Sequence, residues 1–297
     1  MAVSQSSTTP LTPFETFLNL RIERFSPQGV TLVLPAQQAT LNIGGTLHGG
    51  ASVSLAVIAA RRALEAQLTG TADLKIQVLD QQVQFIGTTK LEPVTIDAAI
   101  LKRGRELAFA EVNLRKKDCS LVSKSLVTLR YAQGNPAADR EIMPPSIDVN
   151  NHLPEEWQPG PFSAPLAAKG FGSTLGQRIM HMGDGRSIVE LPVQAFLLNE
   201  AEHIDNAALG ALADSTGAMA CWSLLKPEMS RAATTAMHLN YYTEPLAEKL
   251  FGLGEGRWQS AESLASRFQV VGEQSGAVIA EGQLLFRVVN ATPNLRS

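Results

Sequence analysis

Four residues carry most of the chemistry that this sequence could perform. His48, Gly49 and Gly50 open an apolar segment that predicts a buried helix, and Asp214 lies within a second such segment. Glycine is a poor helix former, so two glycines at a helix start need another reason. The first N–H groups of a helix lack intrahelical partners and carry the positive end of its dipole, which suits an oxyanion. A carboxylate such as Asp214 can serve as general base or as nucleophile.

An internal repeat relates the two halves of the chain. Residues 21–42 align without a gap with residues 178–199, a shift of 157 positions. Within this match "LPAQQATLN" (34–42) lies over "LPVQAFLLN" (191–199). Self-similarity over this length indicates two copies of one structural unit.

The two copies differ at the residues that could act chemically. The same shift places Asp205, Asn206 and Ala207 over the His-Gly-Gly triplet, and Val57 over Asp214. The first repeat therefore lacks the carboxylate, and the second repeat lacks the His-Gly-Gly triplet.

The elements that position these residues follow the same order in both copies. Long apolar helices are expected over 48–68 and 205–225, each followed by alternating β-branched runs typical of an antiparallel sheet with one buried face. One helix that is apolar nearly all round, beside such a sheet, predicts an α+β arrangement used twice. A stretch rich in proline and polar residues separates the copies. We therefore expect domains at 1–132 and 166–297, joined by a linker at 133–165.

Composition narrows the class of protein. The 297 residues are 44% hydrophobic and 18% charged, with a formal net charge of -3, which fits a globular chain and offers no electrostatic footprint for nucleic acid. The apolar runs are too short to span a membrane, and the polar N-terminus lacks a signal-peptide core. Cys119 and Cys221 have neither disulfide-framework nor metal-ligand spacing. These features predict a cytoplasmic protein without a metal site.

The motifs resemble those of the hotdog-fold thioesterases. Asn42 stands seven residues before Gly49, the His-Gly-Gly triplet opens an apolar helix, and a "QVQF" strand (82–85) follows. This order is similar to the phenylacetate-degradation type, whose pattern continues into Leu-Ala-Asp, the residues found here at 212–214. The tandem arrangement resembles the double hotdog of acyl-CoA thioesterase II. The resemblance covers nearly all of both halves.

The resemblance implies a fold and an activity. The fold would be two hotdog domains, each an antiparallel sheet wrapped around one long central helix, paired as a pseudo-dimer with the helices antiparallel. The activity would be hydrolysis of an acyl-CoA thioester to free acid and CoA. No metal or redox cofactor would be needed, because CoA enters as part of the substrate. Open edge strands would favour a homo-oligomer of such chains.

In the family, a glycine amide at the helix start polarises the thioester carbonyl, and glycine lets the acyl group approach closely. A carboxylate eight residues later attacks or activates water, and an Asn or Gln helps to position the nucleophile. Here that carboxylate position is Val57 in the first repeat and Asp214 in the second. Eight helical residues rise about 12 Å, so one helix cannot supply both groups to one carbonyl. We therefore expect one composite site per chain and an inert counterpart, the working site combining Asn42, His48, Gly49 and Gly50 with Asp214.

Three further positions are weaker candidates. Thr235 lies in a strand similar to the thioesterase II strand that bears a water-positioning threonine. Arg103 and Arg105 lie in a turn where related enzymes place basic groups for CoA phosphates, a role that guanidinium suits. Arg61 and Arg62 are predicted to mark the exposed end of a helix.

Two other functions stay open at this stage. A hotdog enoyl-CoA hydratase or dehydratase would use a histidine and a carboxylate, for which "NEAEHID" offers His203 and Asp205. A non-catalytic acyl-CoA or lipid-binding module would also explain the eroded motifs.

Overall fold

The computed structural model describes residues 10–68, 74–133, 144–225 and 232–288. Of the predicted linker at 133–165, the structure therefore describes Gln133 and residues 144–165. Within the described ranges, no helix combines the length and the apolar composition needed to cross a membrane.

The first repeat contains the helices and strands expected from its pattern. The helix predicted over 48–68 is observed over Gly49–Gln67, with His48 as its N-cap. The elements of this repeat are α1 Pro13–Phe17, β1 Arg21–Ser26, β2 Gly29–Leu34, α2 Gly49–Gln67, β3 Leu74–Phe85, β4 Val94–Arg103, β5 Leu107–Arg115 and β6 Leu121–Gln133.

The linker and the second repeat follow the same plan. The linker contributes a short helix, and the helix expected over 205–225 begins with a 3-10 turn over Asn206–Ala208 before its α-helical part. The elements are α3 Ser163–Ala168, α4 Phe171–Thr174, β7 Arg178–Gly183, β8 Arg186–Leu191, α5 Leu209–Trp222, β9 Ala232–Tyr241, β10 Leu250–Ser260, β11 Ser263–Gly272 and β12 Val278–Val288.

All these strands form one antiparallel 12-stranded sheet in the order β1-β2-β4-β5-β6-β3-β9-β12-β11-β10-β8-β7. The second half of this order repeats the first in reverse, and β3 pairs with β9 where the two repeats meet. α2 packs on β2, β4, β5 and β6, whereas α5 packs on β8, β10 and β11. Each half of the sheet therefore covers one central helix.

The two central helices also pack directly on each other. A Cβ at Gly50 would lie 2.4 Å from the Cα of Ala211, and one at Gly210 would lie 2.7 Å from Cγ1 of Val53. Going forward along α2 from Gly50 to Val53 therefore means going backward along α5, so the helices are antiparallel. Glycine at both positions allows this close crossing, because any side chain would push the backbones apart.

Candidate active site

The carboxylate of Asp214 lies at the amino end of α2, in the other repeat. Its Oδ2 accepts a hydrogen bond from the backbone N–H of Gly50 at 2.9 Å. Its Oδ1 accepts one from the hydroxyl of Thr234 in β9 at 3.1 Å. Only 6% of Asp214 is exposed. A buried carboxylate is stable when it is hydrogen-bonded, and here a helix N-terminus and a hydroxyl supply the donors.

His48 caps α2 and lies beside the same carboxylate. Its Nδ1 accepts a hydrogen bond from the Gly50 N–H at 3.0 Å and lies 3.3 Å from Oδ2 of Asp214. Burial lowers the pKa of the His48 imidazole below its usual range, and the charge of Asp214 opposes this shift. A neutral imidazole can accept at Nδ1, which is the role that the N-cap geometry requires.

The two glycines serve different contacts from the one expected. A Cβ at Gly49 would lie 2.7 Å from Oδ2 of Asp214, and one at Gly50 would overlap the backbone of α5 at Ala211. The structure gives each glycine a reason of its own, while the approach of an acyl group stays a prediction. Gly49 admits the catalytic candidate Asp214, and Gly50 admits the neighbouring helix.

Two amide donors at this helix end have no acceptor among the described residues. Within the described part of the chain, the N–H groups of Gly49 and Ala51 have no hydrogen-bond acceptor, while Gly50 donates to His48 and Asp214. Unpaired N–H groups at a helix start are good donors to a carbonyl oxygen that gains negative charge.

The threonine beside Asp214 is Thr234, not the predicted Thr235. β9 carries a bulge at this point, because Ala236 pairs with Leu285 and Thr234 with the next residue of β12. Strict alternation would turn Thr235 inward, but the extra residue reverses the side that each threonine faces. Thr235 instead donates its hydroxyl to the carbonyl of Leu285.

The side chain of Asn42 makes hydrogen bonds within its own loop. Its Oδ1 accepts from the Thr46 N–H at 3.2 Å, and its Nδ2 donates to the Thr46 hydroxyl at 2.9 Å. The repeat-related Asn199 makes the same backbone contact, since its Oδ1 accepts from the His203 N–H at 3.0 Å. The asparagine therefore closes this loop in both repeats, and the structure gives it no contact with Asp214.

The two arginines predicted to bind CoA phosphates lie elsewhere. Arg103 donates to the carbonyl of Gln67 at the carboxyl end of α2, and Arg105 is exposed in the same turn. Gln67 is 17 residues beyond Gly50, or about 25 Å along the helix. Neither Arg103 nor Arg105 therefore lines the site around Asp214.

The pseudo-symmetric counterpart of the site has different residues. Both central strands are bulged, at Leu79 in β3 and at Thr235 in β9, so Val78 corresponds to Thr234 just as Val57 corresponds to Asp214. Val57 and Val78 are buried. Two valines thus replace the carboxylate and the hydroxyl that hold it.

A buried ion pair occupies the rest of that counterpart. Nη2 of Arg61 lies 2.8 Å from Oδ2 of Asp205, whose side chain is 1% exposed. Arg62 pairs with Glu15 and with Glu65. The expectation that both arginines mark an exposed helix end is therefore wrong. Sequence spacing could show only the Arg62–Glu65 pair at i,i+3, because Asp205 comes from the other repeat and Glu15 from α1.

The residues considered for hydratase chemistry have separate partners. His203 Nδ1 lies 3.0 Å from Glu244, whereas Asp205 is bound to Arg61 and accepts from the Ala207 N–H. They do not form a histidine–carboxylate dyad. In the described ranges, no cluster of three His, Cys, Asp or Glu side chains could hold a metal ion.

Comparison with known sequences connects this geometry with thioesterases. Residues 37–130 match the family model described as the acyl-CoA thioesterase N-terminal domain. Acyl-coenzyme A thioesterase 13 of Mus musculus is 30% identical over 93 residues, which are 31% of this chain and 64% of that protein. The match therefore spans less than two thirds of that relative.

Comparison with solved structures shows the fold over nearly the whole chain. A tesB protein of Mycobacterium avium subs. paratuberculosis has a TM-score of 0.64 at 13% identity, covering 94% of this chain and all (100%) of the other. A hot dog fold protein of Alicyclobacillus acidocaldarius has a TM-score of 0.62 at 15% identity, covering 95% and 100%.

This chain is a double hotdog protein. Residues 37–130, within its first repeat, are similar to the acyl-CoA thioesterase N-terminal domain. An acyl-CoA thioesterase II of Mycobacterium marinum shares the double hotdog fold at a TM-score of 0.60 and 12% identity, over 95% of this chain and 100% of that one. The predicted resemblance to tandem hotdog thioesterases is confirmed for the fold, and the family-model match lies in the first repeat.

Proposed function

We propose that this double hotdog protein hydrolyses an acyl-CoA thioester to a free acid and CoA at one composite site. The observation that carries the proposal is the 2.9 Å hydrogen bond between Asp214 of the second repeat and the amino end of α2 in the first. The thioesterase match of the first repeat supports an acyl-CoA as the substrate.

The amino end of α2 would polarise the thioester carbonyl. The N–H groups of Gly49 and Ala51 have no acceptor in the described chain, and they stand at the positive end of the helix dipole. A carbonyl oxygen placed against them gains stabilisation as negative charge develops on it.

Asp214 would supply the base or the nucleophile. Each carboxylate oxygen has two lone-pair sites, so the bonds from Gly50 and Thr234 leave capacity for a water proton. As a base, Asp214 takes a proton from water while the water oxygen bonds to the carbonyl carbon. The C–S bond then breaks, and the CoA thiolate recovers a proton. As a nucleophile, Asp214 itself bonds to that carbon, the C–S bond breaks and the CoA thiolate leaves and takes up a proton. Water then adds to the resulting anhydride and releases the free acid and the Asp214 carboxylate.

The counterpart site would be inert. Val57 can neither take a proton nor attack a carbonyl, and the Arg61–Asp205 pair occupies the helix end that would otherwise meet a carbonyl. One working site per chain follows from this difference.

The experiment is release of free CoA, followed with a thiol reagent, from a panel of short, medium, long and aromatic acyl-CoAs. We expect turnover by the natural chain, and a loss of about a hundredfold or more in kcat for Asp214→Asn. Val57→Ala at the matched buried position should retain kcat. Binding without turnover would favour a non-catalytic module, and water addition to an enoyl-CoA would favour a hydratase.

Four further expectations belong with this proposal. We infer that each repeat, with its half-sheet and one central helix, corresponds to one subunit of a hotdog dimer, so that the chain is a pseudo-dimer. The domain boundaries at 132 and 166 follow from the repeat. A homo-oligomer of such chains and a cytoplasmic location remain predictions, which sedimentation and cell fractionation would test.

A further inference from the structure

The face of α5 beyond Asp214 differs from the rest of that helix. Because α2 and α5 are antiparallel and Asp214 meets the start of α2, the residues after Asp214 extend past the end of α2. Ser215, Ala218 and Met219 on this face keep 8–9% exposure, whereas most other side chains of α5 are fully buried. Trp222 continues the face by one more turn and is half-buried. We call these four residues the α5 strip.

The linker covers the far end of the α5 strip. The ring of Phe162, just before α3, lies 5.2 Å from that of Trp222, which also makes an edge contact with Phe286. About 12 Å of helix separates Asp214 from Trp222. The α5 strip therefore runs along one face of the helix from the carboxylate to an aromatic pair, and it is apolar apart from Ser215.

The mouth of the strip has an unsatisfied donor. Oε1 of Gln177 accepts from the Ser215 hydroxyl at 2.8 Å, but Nε2 has no acceptor within the part of the chain that the structure describes. Gln177 is only 7% exposed. A buried donor without a partner costs free energy, which a ligand oxygen near Asp214 would recover.

The first repeat lacks a comparable strip on α2. The positions of α2 that correspond to Ala218, Met219 and Trp222 are charged, and their side chains form the buried network with Asp205 and Glu15. These corresponding residues are Arg61, Arg62 and Glu65. The α5 strip lies beside the intact carboxylate, whereas ion pairs of Arg61 and Arg62 follow Val57 along α2. This difference indicates that only the second helix accommodates an acyl group.

We infer that the α5 strip binds the acyl group of a medium-chain acyl-CoA. The Phe162–Trp222 pair limits the length of the chain, and Nε2 of Gln177 donates to the carbonyl oxygen of the thioester. This inference rests on the proposed function for the identity of the ligand. An apolar group gains binding free energy for each methylene it buries, so affinity should rise along the strip and stop rising at the aromatic pair.

The test is calorimetric binding of acetyl-, octanoyl- and palmitoyl-CoA to Asp214→Asn, in which the acyl-CoA stays intact, together with hydrolysis by chains that retain Asp214. We expect octanoyl-CoA to bind best. Adding Trp222→Ala should raise palmitoyl-CoA affinity relative to octanoyl-CoA by about tenfold or more, and Ala218→Phe should weaken octanoyl-CoA but spare acetyl-CoA. Gln177→Met should weaken all three alike, because its amide lies at the mouth.

Trp258→Ala is the matched control, since this tryptophan of β10 is exposed. An unchanged chain-length profile in both Trp222→Ala and Ala218→Phe, with thermal melts showing folded protein, would overturn the inference. So would an equal shift in the Trp258→Ala control. Absence of hydrolysis alone contradicts the proposed function, whereas the affinity profile still decides whether the strip holds the acyl group.

Discussion

The carboxylate of Asp214 and the amide of Gly50 share a hydrogen bond of 2.9 Å across 164 residues of sequence. The bond joins the acidic residue of one repeat to the helix start of the other. The matching positions in their own repeats are Val57 and Ala207, so neither repeat alone contains both the carboxylate and the glycine amide. The relationship therefore exists only when both repeats are folded against each other, and the following predictions test its parts.

The two threonines of β9 should differ in their effect on catalysis. Thr234→Val removes the hydroxyl that donates to Asp214, so kcat should fall about tenfold, comparable to one hydrogen bond to a charged group. Thr235→Val removes only a bond to the Leu285 carbonyl and should leave kcat near the natural value. Steady-state kinetics of both variants checks this, and equal losses would contradict the assignment of Thr234.

The two glycines should separate stability from activity. Gly50→Ala places a Cβ against the backbone of α5, so we expect the free energy of unfolding to fall by about 1–3 kcal/mol. The nearest atoms to a Cβ in Gly49→Ala belong to the Asp214 side chain, which would have to shift from its hydrogen bonds, so activity should fall with a smaller loss of stability than in Gly50→Ala.

Gly104→Ala provides the control for both glycine variants, since its Cβ would be in ordinary contact at 3.5 Å. Urea denaturation and thiol-release kinetics give the two readouts. A stable, fully active Gly50→Ala would show that the helices do not cross as closely as described.

His48 should make stability depend on pH. Burial lowers the pKa of its imidazole, so below pH of about 6.5 the unfolded chain takes up a proton that the folded chain does not. The free energy of unfolding should therefore decrease as the pH falls through this range. His48→Asn should reduce the slope, as measured by urea denaturation at several pH values.

His181 contributes to the same slope with the same sign, because burial and the charge of Arg186 lower its pKa. His181→Asn therefore measures the share that does not involve Asp214. A slope in His48→Asn identical to that of the natural chain would argue against a neutral, buried His48.

The Arg61–Asp205 pair should contribute to stability and not to turnover. Arg61→Met leaves the buried Asp205 carboxylate without its ionic partner, which should cost about 3–5 kcal/mol. The double variant Arg61→Met/Asp205→Asn should recover most of this loss, because no unpaired charge remains. A double-mutant cycle by denaturation measures the coupling, and a large drop in the kcat of the folded double variant would place the pair in the working site.

Asn42 and Asn199 should behave alike. Each closes a loop with the N–H four residues later, so Asn42→Ala and Asn199→Ala should each lower the free energy of unfolding by about 1 kcal/mol. The kcat of Asn42→Ala should stay within about twofold of the natural value. If both variants lost equal stability but only Asn42→Ala lost kcat, Asn42 would have a part in catalysis.

The helices and strands could be predicted because their causes are local. The apolar run after His48 is apolar on every side, and such a helix must be covered on every side. The alternating runs gave the strands of both repeats, and the 157-residue shift related them. The contact between Asp214 and the start of α2 was also predictable, since eight helical residues separate the glycine from the carboxylate position too widely for one helix to serve both.

The errors share a cause in tertiary register. The bulge in β9 exchanges Thr235 for Thr234, and no pattern in "AATTAMHLNY" marks where the extra residue lies. Arg61 and Arg62, predicted to be exposed, form ion pairs with Asp205 and Glu15. These partners come from elements distant in sequence, so the local pattern could not predict them.

The sequence by itself determined the repeat, the order of its elements and the complementary losses at Val57 and Asp214. Only the tertiary structure decided which groups meet. Asp214 meets Gly50 and Thr234, and Arg61 meets Asp205. Periodicity records whether a residue turns toward a core, and each repeat carries that information alone. The partner across the core depends on the register and crossing of elements from both repeats, which no local pattern encodes.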